Sequence, residues 1–287
     1  MIVAINYADT TYKRAQQYNT LTAYSKGKVD KVIEYGPNDI DQKFRELNNE
    51  SFIINNKRIG KYGLWRPHIV IDALNQINYG DYLIYSDSGS YYINEVKCLI
   101  DFMKEKKEKI LIFDSEHIEK SLTKRDIFLY LNCDSIEYTD SLQRISTYFI
   151  IEKSMEVEKI FQEFKDLTYN APYLFTDDEN KLGKENYKEF IDTRHNQSVL
   201  SLLTKKYDIA SYRSPDQWGN GQGIVTILKA KLNRMQREER YPTVFISHRH
   251  KYVNSLVKCK IYFQSYFPRT FNVMNFFRKV FNRVNIF

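Results

Sequence analysis

The sequence predicts an α/β fold, and three observations carry that reading. Of 287 residues, 43% are hydrophobic and 15% aromatic, with 23 Tyr and 18 Phe, too apolar and aromatic for a disordered chain. Short apolar runs of strand length alternate with longer segments whose apolar positions recur at helical spacing. No internal repeat or low-complexity linker interrupts that alternation, so the chain reads as one elaborated domain with ample core.

Residues 2–6 form the first strand, running out into Asn6-Tyr7-Ala8-Asp9. No glycine-rich turn follows. Nicotinamide, flavin and P-loop nucleotide chemistry need glycines where backbone meets phosphate, so those classes are set aside. Asn6 and Tyr7 are placed to meet a base or ribose. Residues 11–26 read as a helix, 31–35 as a second strand, and Pro37-Asn38-Asp39 as the cap of a helix over 40–49. A basic loop, Lys57-Arg58-Ile59-Gly60-Lys61-Tyr62-Gly63-Leu64-Trp65-Arg66-Pro67, then leads into a helix to about residue 77, with Pro67 as its first residue. Its N-terminus beside Arg66 suits an anion; a packed tryptophan with solvated basic neighbours fits the same residues.

The centre of the chain is Gly80-Asp81-Tyr82-Leu83-Ile84-Tyr85-Ser86-Asp87-Ser88-Gly89-Ser90. It reads as a buried strand over 82–85 that ends in an acidic turn. Ligands collect at the carboxyl ends of strands in open α/β sheets, and Asp87 followed by Ser88 and Gly89 can hold a metal or a ribose there. The same turn also fits an ordinary strand exit. Beyond it come a charged surface helix over 95–109, a strand over 110–113, and a helix after Thr123-Lys124-Arg125-Asp126 with Thr123 as cap. A buried strand over 142–151, a helix over 153–167 and a polar loop over 170–186 follow.

Two later clusters stand out. Arg194-His195-Asn196-Gln197-Ser198-Val199-Leu200-Ser201-Leu202-Leu203 has a hydrogen-bonding front and an apolar back, so a helix anchored by Val199, Leu202 and Leu203 presents its polar N-terminus to a cleft, or merely caps itself. Ser247-His248-Arg249-His250-Lys251 follows an apolar strand over 243–246. Histidines two apart on extended chain point the same way. They can ligate a metal with a carboxylate from elsewhere, or contact diphosphate with Arg249 and Lys251.

In order, Gly60 to Pro67, Gly80 to Ser90, Thr123 to Asp126 and Arg194 to Leu203 resemble bacterial glycosyltransferases of capsule and lipopolysaccharide O-antigen genes, over residues 1 to about 255. The resemblance implies a GT-A fold, a Rossmann-type mixed sheet flanked by helices. It also implies a UDP- or GDP-linked sugar donor and a saccharide or lipid-linked oligosaccharide acceptor. More distantly the chain looks like retaining glycogenin-type enzymes, in which an Asp-X-Asp turn binds metal and an Asp-Gln pair faces the donor sugar. Here Asp87-Ser88-Gly89 lacks the second carboxylate, and Asn196-Gln197 replaces Asp-Gln.

Glycosyl transfer builds charge on an oxocarbenium-like sugar and a diphosphate leaving group, and stabilising the latter is the larger task. A divalent ion (Mn2+ or Mg2+) on Asp87 with His248 or His250 would do this, as would Arg66, Arg249 and Lys251 without metal. Asn196 and Gln197 are expected at the sugar face, and Asp126, Asp192 and His195 near the acceptor. An inverting course needs one of the last three as base, whereas retention, slightly favoured by the resemblance, needs none.

The net charge of +7 is uneven: from Ile224 onward thirteen Lys or Arg face two acids. Such asymmetry points to a polyanionic partner. In residues 271–287, Val273, Phe277, Val280, Val284 and Phe287 recur at helical spacing beside Arg278, Lys279 and Arg283, the pattern of an interfacial amphipathic helix. Residues 256–287 are therefore expected to lie on an anionic membrane surface, with 1–255 as the catalytic domain. Three scattered cysteines argue against a disulfide framework and fit a reducing compartment. No leader pattern opens the chain and no run of about 18 apolar residues occurs, so the expected place is cytoplasmic, peripheral on the inner face of the membrane. Two rivals remain. A nucleic-acid-binding protein would use the basic end, but no recognisable nucleic-acid motif carries those charges, and no nucleic-acid partner is expected. A catalytically inactive sugar- or nucleotide-binding protein of the same fold would explain Asn196 and the missing second Asp.

Overall fold

A computed structural model describes residues 1–47, 62–219, 239–248, 250–251, 255–256, 258–259, 263, 267, 270 and 274. The chain opens with β1 (Ile2–Tyr7), α1 (Lys13–Thr22) and β2 (Lys31–Tyr35), followed by a 3-10 turn over Pro37–Asp39 and α2 (Gln42–Leu47). The helix expected over 11–26 leaves α-geometry at Ala23. A wider π-turn, Ala23–Gly27, closes it, with Lys28 in the left-handed region. α3 (Arg66–Asn75) begins one residue before Pro67 and leads to β3 (Tyr82–Ser86).

β4 (Ser90–Tyr92) follows at once and was not expected from the sequence. α4 (Lys97–Lys106) is shorter at both ends than the predicted helix, and β5 (Ile110–Ile118) runs five residues further than its apolar stretch. α5 (Arg125–Tyr130) has Lys124 at its cap position, not Thr123, whose hydroxyl donates to Glu119 Oε1 at 2.6 Å. α6 (Ile136–Thr139), β6 (Leu142–Glu152) and α7 (Met155–Asn170) come next. Ser154 caps α7 by accepting from Val157 N. A 3-10 turn, Pro172–Phe175, lies in the expected polar loop, and α8 (Asn196–Lys206), β7 (Ser211–Tyr212) and β8 (Phe245–Ser247) complete the described elements.

Six strands form one mixed sheet in the order β2-β1-β3-β6-β5-β7. β1 is parallel to β2 and β3; β6 is antiparallel to β3 and β5. Two-residue alternation decides which layer each side chain joins. Val3, Ile5, Leu83, Tyr85, Phe149 and Ile151 pack with α3, α7 and α8, through residues such as Val70, Phe161 and Leu203. Ala4, Ile84, Tyr148 and Ile150 pack with α4 on the other face, against Leu99, Met103 and Phe245. Burying a side chain of this size contributes about 1.5–3 kcal/mol, so these two layers fix the sheet.

The functional consequence lies in β6. It is longer than β3, and the backbone N–H of Asp87 donates to Thr147 O at 2.8 Å where β3 ends. Residues 142–146 of β6 and 114–118 of β5 therefore run past the exit of β3. β4 and β8 pair as a separate two-stranded ribbon, with Ser90 opposite Ser247, beside that same exit. Among the described residues no helix is long and apolar enough to cross a membrane. The predicted amphipathic helix over 271–287 lies, apart from Met274, outside the described residues.

Candidate functional site

Because β1 and β3 are parallel neighbours, Tyr7-Ala8-Asp9 and Asp87-Ser88-Gly89 leave the sheet side by side. The two exits are tied together, since Ser88 Oγ donates to Tyr7 O at 2.6 Å. A cavity of about 280 Å³ opens between them. Tyr7, Ala8, Asp9 and Tyr12 line one side, Asp87, Ser88 and Gly89 another, and Trp65 with Arg66 come from the start of α3. Thr147 and Ser247 complete the wall. Tyr7 and Trp65 stack face to face, with centroids 3.8 Å apart and 16° between planes. Tyr7 Oη and Trp65 Nε1 are buried with no hydrogen-bond partner among the described residues. Burial, then Asp9 and Asp39, push the Tyr7 phenol up, so it stays protonated as a donor.

Arg66 is the hub. It is only 5% exposed; Nη2 donates to Asp87 Oδ1 at 2.8 Å and Nη1 to Ser146 Oγ at 2.5 Å and to Asn196 Oδ1. The guanidinium also lies 4.8 Å from the Tyr85 ring centroid and 5.3 Å from that of Trp65. Burial works against its charge, and Tyr85 with Asp87 outweighs that effect, so Arg66 remains a cation. The Tyr85 hydroxyl donates to the same Asp87 oxygen at 2.5 Å.

Asn196 explains why an amide stands at the start of α8. Its Oδ1 accepts from Arg66 and from Ser146 Oγ at 3.3 Å, while its Nδ2 donates to Tyr62 O at 3.1 Å. A carboxylate could meet the first two partners but would face the Tyr62 carbonyl with a second acceptor. Gly63, at φ +64°, makes room: a Cβ there would lie 1.9 Å from Asn196 Nδ2. Gln197 sits on β6 instead, accepting from Ser146 N at 3.3 Å and donating to Gln143 Oε1 at 2.8 Å.

The other predicted residues divide. Asn6 is fully buried behind the cavity, donating to Asn19 Oδ1 and Thr20 Oγ1, and does not line it. Asp126 is fully buried too; its two oxygens accept from the backbone N–H groups of Lys181 and Leu182, at 2.6 and 3.0 Å, which anchors the loop before α8. Asp192 is exposed. His195 Nε2 lies 2.7 Å from Asp177 Oδ1, with its ring edge-on to Tyr62. Arg249, like Gly60 and Lys61, lies outside the described residues.

A resident divalent ion on Asp87, His248 and His250 does not fit the donor set. Among the described residues no group of three His, Cys, Asp or Glu is placed to hold a metal. Asp87 Oδ1 is already taken by a cation and a phenol. His248 is 5% exposed, and burial, then His250, lower it to about 4, so the ring is neutral. Its Nδ1 accepts from His250 N at 3.0 Å, which leaves Nε2 carrying the proton, a donor and not a ligand. In this turn one carboxylate, already paired with Arg66, stands where the Asp-X-Asp pattern has two.

No family model matches the chain, and no curated protein matches it. Among solved structures it is similar to the apo form of the glycosyltransferase GlyE of Streptococcus pneumoniae TIGR4, at 12% identity over 97% of this chain, with a TM-score of 0.43. The chain spans 63% of the length of GlyE. It is also similar to the galactosyltransferase LgtC in complex with donor and acceptor sugar analogues (9% identity, 89% of this chain and 88% of that one, TM-score 0.49). A third is apo mouse xyloside xylosyltransferase 1 (8% identity, 86% and 97%, TM-score 0.48).

Several cavity residues escaped the sequence reading. Asp9, whose Oδ1 accepts from Thr11 N and Tyr12 N, ends the first strand as visibly as Tyr7 does. Ser146 and Thr147 left a fainter signal: within 142–151 the polar residues cluster in the first half, the part that outruns β3. A larger hollow of about 720 Å³, between α4, Tyr212 and Glu239–Tyr241, gathers none of the motif residues.

Proposed function

We propose that the chain is a GT-A-type glycosyltransferase that moves a sugar from a UDP- or GDP-linked donor to a saccharide acceptor, lipid-linked, in capsule or O-antigen synthesis. The observation that carries the reading is the convergence of the Tyr7–Asp9 and Asp87–Gly89 exits on one cavity walled by the Tyr7–Trp65 stack and Arg66. A stacked aromatic wall with unpartnered buried donors suits a base and ribose. In the reaction the anomeric carbon–phosphate oxygen bond breaks with its electron pair going to the diphosphate, while the acceptor hydroxyl oxygen bonds to that carbon and gives up its proton.

The cations available to the departing diphosphate are Arg66 and, after β8, Arg249 and Lys251. Asp87, half-exposed beside Ser88 and Gly89, is assigned to the ribose or sugar hydroxyls, and Gln197 to the sugar face. Retention is the course we favour. Asp126 has both oxygens occupied by backbone N–H groups, and Asp9 and Asp87 in the cavity wall are each tied to protein donors. The peripheral membrane setting rests on the basic, aromatic residues 256–287.

A panel of nucleoside diphosphates, with and without manganese, tests the reading by thermal unfolding. UDP or GDP is expected to raise the melting temperature and Asp87→Ala to abolish the rise; no stabilisation by any nucleotide sinks the proposal. Nucleotide binding with neither donor hydrolysis nor transfer would instead favour the inactive binding protein, which the amide at 196 keeps in view. Truncation after Arg269 is expected to release the folded protein from anionic liposomes.

A further inference from the structure

We infer that His195 is a positioning residue for the cavity: tied to Asp177, it holds a strained turn that sets the Asn196 amide against Arg66. Gln197 N donates to Arg194 O at 3.0 Å, closing a turn over residues 194–197. His195, at its first central position, has φ 54° and ψ −122°. Those are the angles of a type II′ turn, where glycine is the ordinary occupant because a Cβ crowds the backbone. Lys28 and Lys107 also have positive φ, but both sit in the left-handed region at helix C-termini, where that conformation satisfies free carbonyls. His195 stands at a helix N-terminus and gains nothing of that kind.

What holds it there is an array of anchors. His195 Nε2 lies 2.7 Å from Asp177 Oδ1, in the segment between α7 and α8, and the Tyr62 ring packs edge-on at 4.9 Å. Arg194 N donates to Leu122 O, and Asn196 N to Tyr62 O. Strain that is over-determined in this way concentrates where geometry serves a site. The residue it places is Asn196, whose amide bridges Tyr62 O and Arg66, and Arg66 in turn holds Asp87 at the cavity wall. The contacts from Asp177 to Asp87 are continuous. This inference rests on the nucleotide-sugar reading only for what the cavity binds.

The test uses the full chain with Trp218→Phe, which leaves Trp65, the ring under Arg66, as the sole tryptophan. His195→Ala and Asp177→Asn are expected to shift Trp65 emission, raise its quenching by acrylamide and weaken UDP or GDP binding several-fold. His195→Gly should unfold at a higher temperature than His195→Ala, because glycine relieves the turn, yet bind nucleotide no better than the alanine variant. His195→Gln, which can reach Asp177, should restore both signals. Trp65 emission and quenching in His195→Ala identical to the parent would overturn the inference, as would a glycine variant no more stable than the alanine one. If the parent binds no nucleotide, the functional reading fails on its own, and the Trp65 and unfolding measurements still decide the link.

Discussion

Two helix starts in this chain look alike in sequence and serve different ends. Thr123-Lys124-Arg125-Asp126 and Arg194-His195-Asn196-Gln197 each set a polar quartet ahead of an apolar helical run. In α5 the quartet turns inward to the scaffold: Asp126 binds two backbone N–H groups of the loop before α8, and Arg125 pairs with Asp134 at 3.0 Å. In α8 it reaches across to another helix, and through Arg66 to the wall of a cavity. A polar helix start is a question about what lies opposite, and what lies opposite α8 is the exit of β3.

The sharpest way to break this contrast is at its hub. Arg66→Met removes the cation from Asp87 and strips donors from Ser146 and Asn196. Breaking a buried pair costs about 3–5 kcal/mol; with the Asp87 side chain 38% exposed, a loss nearer about 2–3 kcal/mol is expected here. Nucleotide-induced stabilisation should vanish with it. Chemical denaturation of the variant with and without UDP or GDP measures both, and an intact nucleotide response would remove Arg66 from the site.

Asp126→Asn is the complementary change. An amide keeps one acceptor oxygen for two backbone donors, at a cost of about 1–2 kcal/mol, the range for stranding a buried polar group. The nucleotide response should survive. If it is lost as well, the two helix starts are functionally one region and the contrast fails.

Acid titration separates the regions by pH. His248, beside Gly89, is lowered to about 4, below the 6.5 of an unfolded histidine, so the unfolded chain takes up the proton first as pH falls. The stability it contributes is present above pH 6.5 and is lost as pH drops from there toward 4, roughly 1 kcal/mol by pH 5.5. Asp134, on the α5 side, behaves differently. Burial opposes its charge, but hydrogen bonds from Arg125, Tyr187 and Lys184 outweigh it and bring the carboxyl down to about 2. Its contribution is present above the unfolded value of 3.8 and is lost between there and about 2. His248→Gln should reduce the slope of the upper part of the curve, where buried His68, lowered to about 3, contributes the rest, and Asp134→Asn should flatten the lower part.

Much of the fold was legible because strands write themselves in alternation. Val3 and Ile5 against Ala4, or Leu83 and Tyr85 against Ile84, announce two buried faces. Asp87 and Arg66 were legible as well, the one ending an apolar run and the other preceding a helix-starting proline. What could not be read was reach. Nothing local says that β6 outruns β3 by enough to bring Ser146 to Arg66, or that β4 and β8, three residues each, pair beside the cavity. Asn6 misled for a related reason: the last residues of a strand alternate like the rest, so Tyr7 faces the cavity while Asn6 points to α1. At Asp87 the sequence shows the carboxylate's position but not the guanidinium bonded to it.

The smallest and most discriminating change is Asn196→Asp, which restores the carboxylate that the resemblance leads one to expect. Its gain is a charge-assisted bond to Arg66, worth about 1.5–3 kcal/mol against about 0.5–1.5 kcal/mol for the neutral one. Its loss is the Nδ2 bond to Tyr62 O, now replaced by two acceptors facing each other. These terms nearly cancel, so stability should change by no more than about 1 kcal/mol in denaturant unfolding. Function should not be so tolerant. Arg66 would then be shared by two carboxylates, and the charge left for a diphosphate would fall, so UDP or GDP should bind more weakly to Asn196→Asp at low salt than to the parent. Tighter binding would mean that the site was built for a carboxylate at 196, and that the α8 start departs from its working form in this chain.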